Sequence, residues 1–321
     1  MIIDYPAREF IRSVARRYRP PVSTAANAAL SFGPRPARFG STVTIGFVGD
    51  ICPLFGRSLA FGDGLRDLLG ACDHLVGNFE GILTPARSRA FRLLHEERIL
   101  VRLAELADPQ VWTLSVANNH AGDFGDEGFS DTVGALERGA FNTFGTRTHP
   151  TAEIHPGIVL SAWTLWMNRP SARVARRDPG PGGPISIAYP HWGYEFTPTP
   201  DASMDVPAGY DLVVGHHPHV PLPLDVLDDG RPVAWSLGNF TTGNSLRSLH
   251  TGAVMTATFD ADVTNGGSDV GAAGVADSPA GFFPRAESSP CTGSLRHVRF
   301  ERIELDQRSR GQVVVRLRGE S

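Results

Sequence analysis

The chain has 321 residues, 41% hydrophobic and 20% charged, the balance of a globular protein able to bury a large core. With 30 basic against 34 acidic residues the net charge is −4, so no broad basic field invites nucleic acid, and no RNP, zinc-finger or helix-turn-helix signature is present. Cys52, Cys72 and Cys291 form no CxxC pair and no disulfide framework, which favours a reducing compartment. No apolar run approaches the roughly 20 residues of a membrane span, and the first residues lack a strong secretory apolar core. The expectation is a cytoplasmic protein.

Residues 1–40 read as an N-terminal extension that ends in the Pro-rich "SFGPRPARFG". Within it, "REFIRSVARRY" has the pattern of a short basic amphipathic helix, expected to pack on the domain rather than on a membrane. The domain proper is expected over 41–321. It starts with "TVTIGFVGD" (42–50), a buried-strand pattern rich in Val and Ile. "LRDLLGACD" (65–73) reads as a short helix and "HLVGNFE" (74–80) as a second strand. "SRAFRLLHEERILVRLAELADP" reads as one helix stopped by Pro109, and "VWTLSVANNH" (111–120) as a third strand. A helix follows over 128–139 with Gly139 past its end.

Further strands are expected at 185–195, 210–219, 232–240 and 252–260. Residues 261–291 are rich in Gly, Ala, Ser and Asp and read as a flexible insertion, and 292–321 as C-terminal strands forming a hairpin. Strands alternating with helices predict an α/β fold with a large sheet.

Six of these strands end in polar clusters: Asp50; Asn78 and Glu80; Asn118, Asn119 and His120; His191 and Glu195; His217 and His219; Asn239. In open α/β sheets, sites form at the carboxyl ends of strands. One such cluster is weak evidence, whereas six, each after an apolar run, point to a site. In "VVGHHPHV" (213–220), Pro218 restricts the loop and lets two imidazoles project from one strand end. Neutral imidazole with carboxylate and amide oxygens suits Mn²⁺, Fe or Zn²⁺, and the few cysteines exclude a thiolate site. Asn118 reads as a turn residue and His216 as scaffold.

The ordered series "GD" (49–50), "GNFE" (77–80), "ANNHAGDFG" (117–125), "HWGYE" (191–195), "GHHPH" (215–219) and "SLGNF" (236–240) resembles the CapA family, named for poly-γ-glutamate capsule synthesis. The resemblance covers about residues 43–260 and implies a calcineurin-like metallophosphatase fold, a four-layer α/β/β/α sandwich with mixed sheets. It implies one or two divalent metal ions, with Asp50, Asn78, Glu80, Asn119, His191, His217 and His219 as the ligand set. It implies His120 as an acid or transition-state donor, and Asp123 and Glu195 as proton-moving or orienting groups.

This sequence departs from the metallophosphatase pattern at Cys52, where Asp-x-His would place a histidine, and at Asn78, where a bridging Asp is usual. Leu222 stands where relatives carry Gln, which alters the expected substrate rim. The activity implied is hydrolysis or transfer at a phosphoester or amide, on an anionic polymer, a peptide or a small molecule. Two other readings stand beside it: a peptide epimerase working by Cα deprotonation, and a non-catalytic accessory of a membrane-associated capsule complex.

Overall fold

A computed structural model describes residues 4–18, 23–32, 42–86, 90–260, 295–307 and 311–320. The expected insertion at 261–291 and Cys291 lie outside the described residues.

In chain order the elements are α1 (Ala7–Tyr18), β1 (Ala28–Ser31), β2 (Thr42–Ile51), β3 (Ser58–Phe61), α2 (Asp63–Gly70) and β4 (His74–Phe79). Next come α3 (Arg98–Leu106), β5 (Trp112–Ser115), α4 (Gly125–Arg138), β6 (Asn142–Phe144), β7 (Thr151–His155), β8 (Ile158–Thr164) and β9 (Ile185–His191). The rest are β10 (Leu212–Val214), β11 (Leu224–Val226), β12 (Pro232–Ala234), β13 (Asn239–Thr241), β14 (Thr251–Asp260), β15 (Leu295–Asp306) and β16 (Gln312–Leu317).

The elements form a mixed α/β structure with two sheets. A 10-stranded sheet runs β3-β16-β15-β14-β2-β4-β5-β6, with β1 added on β15 and β13 on β2. A 6-stranded sheet runs β11-β12-β10-β9-β8-β7. Each has a parallel block, β2-β4-β5-β6 in one and β12-β10-β9-β8 in the other. Parallel strands are buried on both faces, which explains their continuous apolar runs. One apolar core draws on both sheets, with Phe47, Val76 and Phe144 from the larger and Leu160, Ile187 and Leu212 from the smaller. Tyr189 ties them directly: its ring lies beside Phe47 and Phe144, and its hydroxyl donates to the Val48 carbonyl at 2.5 Å.

Two expectations are corrected. Among the described residues, the helix expected from 88 to 109 is α-helical only over Arg98–Leu106. Its first part is pulled into irregular chain: Leu93 accepts from Ile82 N–H and donates its own N–H to the Asp123 carboxylate. The strand expected at 232–240 is two strands, β12 in the smaller sheet and β13 in the larger. Gly238, at φ +63, turns the chain from one sheet to the other. The described parts of residues 1–40 lie against the larger sheet and the strand ends. β1 pairs antiparallel with β15, and α1 lies over the strand ends described below.

Candidate metal centre

The register of the parallel strands decides what meets at their ends. Asp50 on β2 pairs with Asn78 on β4 and with Asn239 on β13. Asn78 Nδ2 donates to Asp50 Oδ1 at 2.8 Å. On the facing sheet, His191 closes β9, and the chain after β10 continues into His216, His217 and His219. His217 and His219 both have positive φ, 104° and 59°. Such backbone is costly for a side-chain-bearing residue and persists where the surroundings enforce it. Here it seats two imidazoles within one three-residue turn, whose ring centroids are 6.0 Å apart.

All ten residues expected at the site come together. Asp50, Asn78, Glu80, Asn119, Asp123, His191, His217 and His219 are buried, and His120 and Glu195 are partly exposed at the edge of the cluster. His219 Nδ1 lies 3.2 Å from Asp50 Oδ2 and 3.0 Å from Asn239 Oδ1. Its Nε2 is 3.7 Å from Glu80 Oε1. His191 Nε2 lies 3.1 Å from Asn119 Oδ1. The backbone N–H of His217 donates to Asp50 Oδ2 at 3.2 Å.

Four groups of side chains hold ligand atoms within 4.8 Å of one another: Asp50, His191 and His216; Cys52, Glu80 and His219; Glu80, His191 and His217; Glu195, His217 and His219. Among the described residues, several buried ligand atoms have no hydrogen-bond partner, namely Glu80 Oε1, His217 Nδ1 and both ring nitrogens of His216. Leaving such atoms dry and unpaired is costly. A cation bound by oxygen and imidazole would satisfy them, so the donor set could hold a metal ion.

The electrostatics are those of a tightly coupled cluster. Burial works against the charge on Asp50, but the hydrogen bond and charge of His219 hold its carboxyl below the usual range. Burial and the neighbouring Asp50 push Glu80 well up. Burial opposes charge on His219 as well, yet Glu80 and Asp50 raise it to about 10. Burial, then the surrounding imidazoles, press His191 and His217 well below the ordinary histidine value.

At the edge, His120 Nδ1 lies 2.6 Å from Asp123 Oδ2. Asp123 is held in turn by Arg169 Nη1 at 3.0 Å and by the Leu93 N–H at 2.8 Å. Asn168 Nδ2 is 3.1 Å from His120 Nε2. His120 and Glu195 both line a cavity of about 730 Å³, walled largely by Phe10, Phe55, Phe91 and Phe196, with Arg17 and Arg92 among its cations.

Several roles differ from, or add to, the sequence reading. Asn118 serves the turn as expected, donating to the Phe79 carbonyl and accepting the His120 N–H. His216, read as scaffold, does stack on Tyr189 at 4.4 Å, but it also belongs to a candidate ligand group. Cys52 sits 3.5 Å from Glu80 Oε2, and burial together with the Glu80 charge pushes its thiol well up, so it stays a thiol. Leu222 is not at a rim; it is buried in a satellite core with Trp192 and Met204. Asn168 and Arg169 follow no strand-end pattern and were not foreseen. Nor was Tyr5, whose hydroxyl lies 2.6 Å from His217 Nε2.

The profile of the family described as "Bacterial capsule synthesis protein PGA_cap" matches residues 44–162 and 166–244, which include every residue of the cluster except Tyr5. The chain belongs to the PGA_cap family. Among curated relatives, the "PGA biosynthesis protein CapA" of Bacillus subtilis (strain 168) is 28% identical over 211 residues, 55% of this chain and 55% of that protein. The "Capsule biosynthesis protein CapA" of Bacillus anthracis is 28% identical over 208 residues, covering 52% of this chain and 50% of that protein. The PGA_cap chain described here therefore spans about half the length of the curated relatives it matches. Among its described residues, no helix is long and apolar enough to cross a membrane.

Proposed function

We propose that this PGA_cap chain is a metal-dependent enzyme acting by hydrolysis or transfer at a phosphoester or amide, in the synthesis of poly-γ-glutamate or a related envelope polymer. The observation that carries the reading is the buried ligand set, in which Glu80 Oε1 and His217 Nδ1 make no hydrogen bond, beside a cavity of about 730 Å³ lined by His120. The polymer context is supported by the names of the Bacillus relatives.

Asp50, Asn78, Glu80, Asn119, His191, His217 and His219 would hold one or two ions, which when bound supply Lewis acidity and lower the pKa of a coordinated water. The chain's own groups do the rest. The Asp123 carboxylate fixes the ring of His120 through Nδ1, so that Nε2 is the atom presented to substrate. Held in this way, His120 gives a proton to a departing oxygen or nitrogen. Arg169 pairs with Asp123 at 3.0 Å and holds it in place. Glu195, also on the cavity lining, is a second proton-handling group.

One observation favours a second reading. The cavity is walled mainly by aromatic and aliphatic side chains, with two acid–base groups, His120 and Glu195, on its lining. That arrangement suits exchange of a Cα proton on a peptide, with one group removing it and the other returning it. Turnover in D₂O separates the two readings: solvent deuterium in an intact peptide supports epimerisation, and cleavage or transfer supports the first reading.

The metal assignment is tested by elemental analysis of the purified protein and of Asp50→Ala and His217→Ala. Loss of metal in both variants is expected. Full occupancy in both overturns it, and a metal-free wild type bound to a membrane partner would instead indicate an accessory role.

A further inference from the structure

Tyr5 is the one residue of the cluster that lies outside the stretch matched by the family profile, 212 positions before its partner His217. It is buried, with its ring edge-on to Trp166 at 4.7 Å and to Tyr194 at 5.2 Å. Asp4, next to it, pairs with Arg176 at 2.7 Å. α1 follows directly, and Phe10, Ser13, Val14, Arg17 and Tyr18 form one wall of the cavity.

We propose that Tyr5 is a positioning residue of the metal centre: its hydroxyl oxygen accepts Nε2–H of His217 and so keeps the Nδ1 lone pair of His217 free for a divalent cation. This rests on the metal reading above. A phenol has one hydrogen to give and two lone pairs to receive with. Tyr5 Oη has three neighbours: His217 Nε2 at 2.6 Å, the Glu195 N–H at 3.0 Å and the Gly193 carbonyl at 3.5 Å. Two donors and one acceptor match the phenol's capacity when Nε2 carries the hydrogen.

The opposite assignment has Tyr5 donating to Nε2. The neutral ring then carries its hydrogen on Nδ1, which is buried and has no hydrogen-bond partner among the described residues. That strands a donor and leaves nothing to bind a cation. With Nε2–H donating, Nδ1 instead presents a lone pair, and a metal ion is the partner it lacks. Ligating histidines generally hand their other N–H to an acceptor that fixes tautomer and ring orientation. In this chain the acceptor is a phenol delivered by the N-terminal segment, which makes residues 4–18 part of the site.

Tyr5→Phe removes the hydroxyl and keeps the ring packing. Metal-free wild type and Tyr5→Phe are titrated with Co²⁺, following the visible d–d bands. We expect about a 10-fold or greater loss of affinity in the variant, with altered bands. Equal affinity with identical bands would overturn the role of Tyr5 while leaving the metal reading intact; a wild type that takes no Co²⁺, Mn²⁺ or Zn²⁺ would overturn the metal reading itself. Histidine ¹⁵N NMR of the metal-free wild type gives a readout that needs no metal. A His217 ring protonated at Nε2 is expected, and one protonated at Nδ1 contradicts the proposal.

Discussion

Asp50 and Asn78 sit side by side on neighbouring parallel strands, and the Asn78 amide donates to the Asp50 carboxylate at 2.8 Å. An amide at this place neutralises no metal charge but stabilises an adjacent carboxylate. A carboxylate there would do the reverse. Asn78→Asp is therefore expected to lower the Tm of the metal-free protein, because two buried carboxylates would face each other. It is also expected to raise the Tm gained on adding Mn²⁺ or Zn²⁺ and to bring metal stoichiometry to two. Thermal melts with and without metal check this; an equal drop in both conditions contradicts it.

On the proposed reading His120 moves a proton, its ring oriented by Asp123 Oδ2 at 2.6 Å from Nδ1. His120→Gln is expected to lower turnover of a chromogenic phosphoester by roughly 10²–10⁴-fold with metal content unchanged. Arg169→Ala, which frees one side of Asp123, should give a smaller loss in the same direction. Metal loss in His120→Gln would show that the ring is a ligand instead.

β2 passes close to the crossover at Gly238. A Cβ built on Gly49 would lie 2.0 Å from the Gly238 carbonyl oxygen, a backbone atom that cannot swing away. Asp50 N–H donates to that same carbonyl at 2.9 Å. Gly49→Ala is expected to destabilise the fold by at least about 2 kcal/mol and to loosen Asp50. Urea unfolding checks the first effect and metal content the second. A variant as stable as wild type would contradict the close approach.

His95 gives the fold an acid-sensitive point. Burial lowers it from 6.5 to about 4, while its ring stacks on Phe79 and its Nε2 lies 3.0 Å from the Glu80 carbonyl. A histidine whose folded pKa is depressed contributes stability that is complete above about pH 6.5. That contribution is lost as the pH falls toward 4, because the unfolded chain takes up the proton first. His95→Gln keeps a donor toward Glu80 and does not titrate. Between pH 7 and pH 4 the wild type should lose on the order of 3 kcal/mol more than the variant in urea unfolding. Parallel losses in the two proteins would contradict this.

Much of the site was legible in the sequence because strand ends are marked locally. An apolar run followed by Asp, Asn or His reports both the strand and the place where it stops, and parallel strands bring such ends together. That logic marked Asp50, Asn78, Glu80, Asn119, His191, His217 and His219 among the strand-end residues, and the family resemblance singled them out as a ligand set. It could not find Asn168 and Arg169, which lie on irregular chain after β8 and matter only through His120 and Asp123. It could not find Tyr5, because an aromatic residue in a polar N-terminal stretch carries no period and no flanking strand.

The mistaken helix before Arg98 has a similar cause. Its apolar spacing serves equally well for chain laid over a site, and hydrogen bonds from Leu93 to Asp123 and Ile82 decide the matter. The run 232–240 reads as one strand since its apolar residues are continuous. Only the positive φ at Gly238 shows that it serves two sheets.

The central claim is that the strand ends form a metal centre, and anomalous diffraction from crystals of protein reconstituted with Mn²⁺ or Zn²⁺ tests it most directly. The account predicts one or two anomalous peaks enclosed by Asp50, Glu80, Asn119, His191, His217 and His219, beside the Tyr5 hydroxyl. Reconstituted crystals with no peak there, or with peaks only at surface carboxylates, would contradict it.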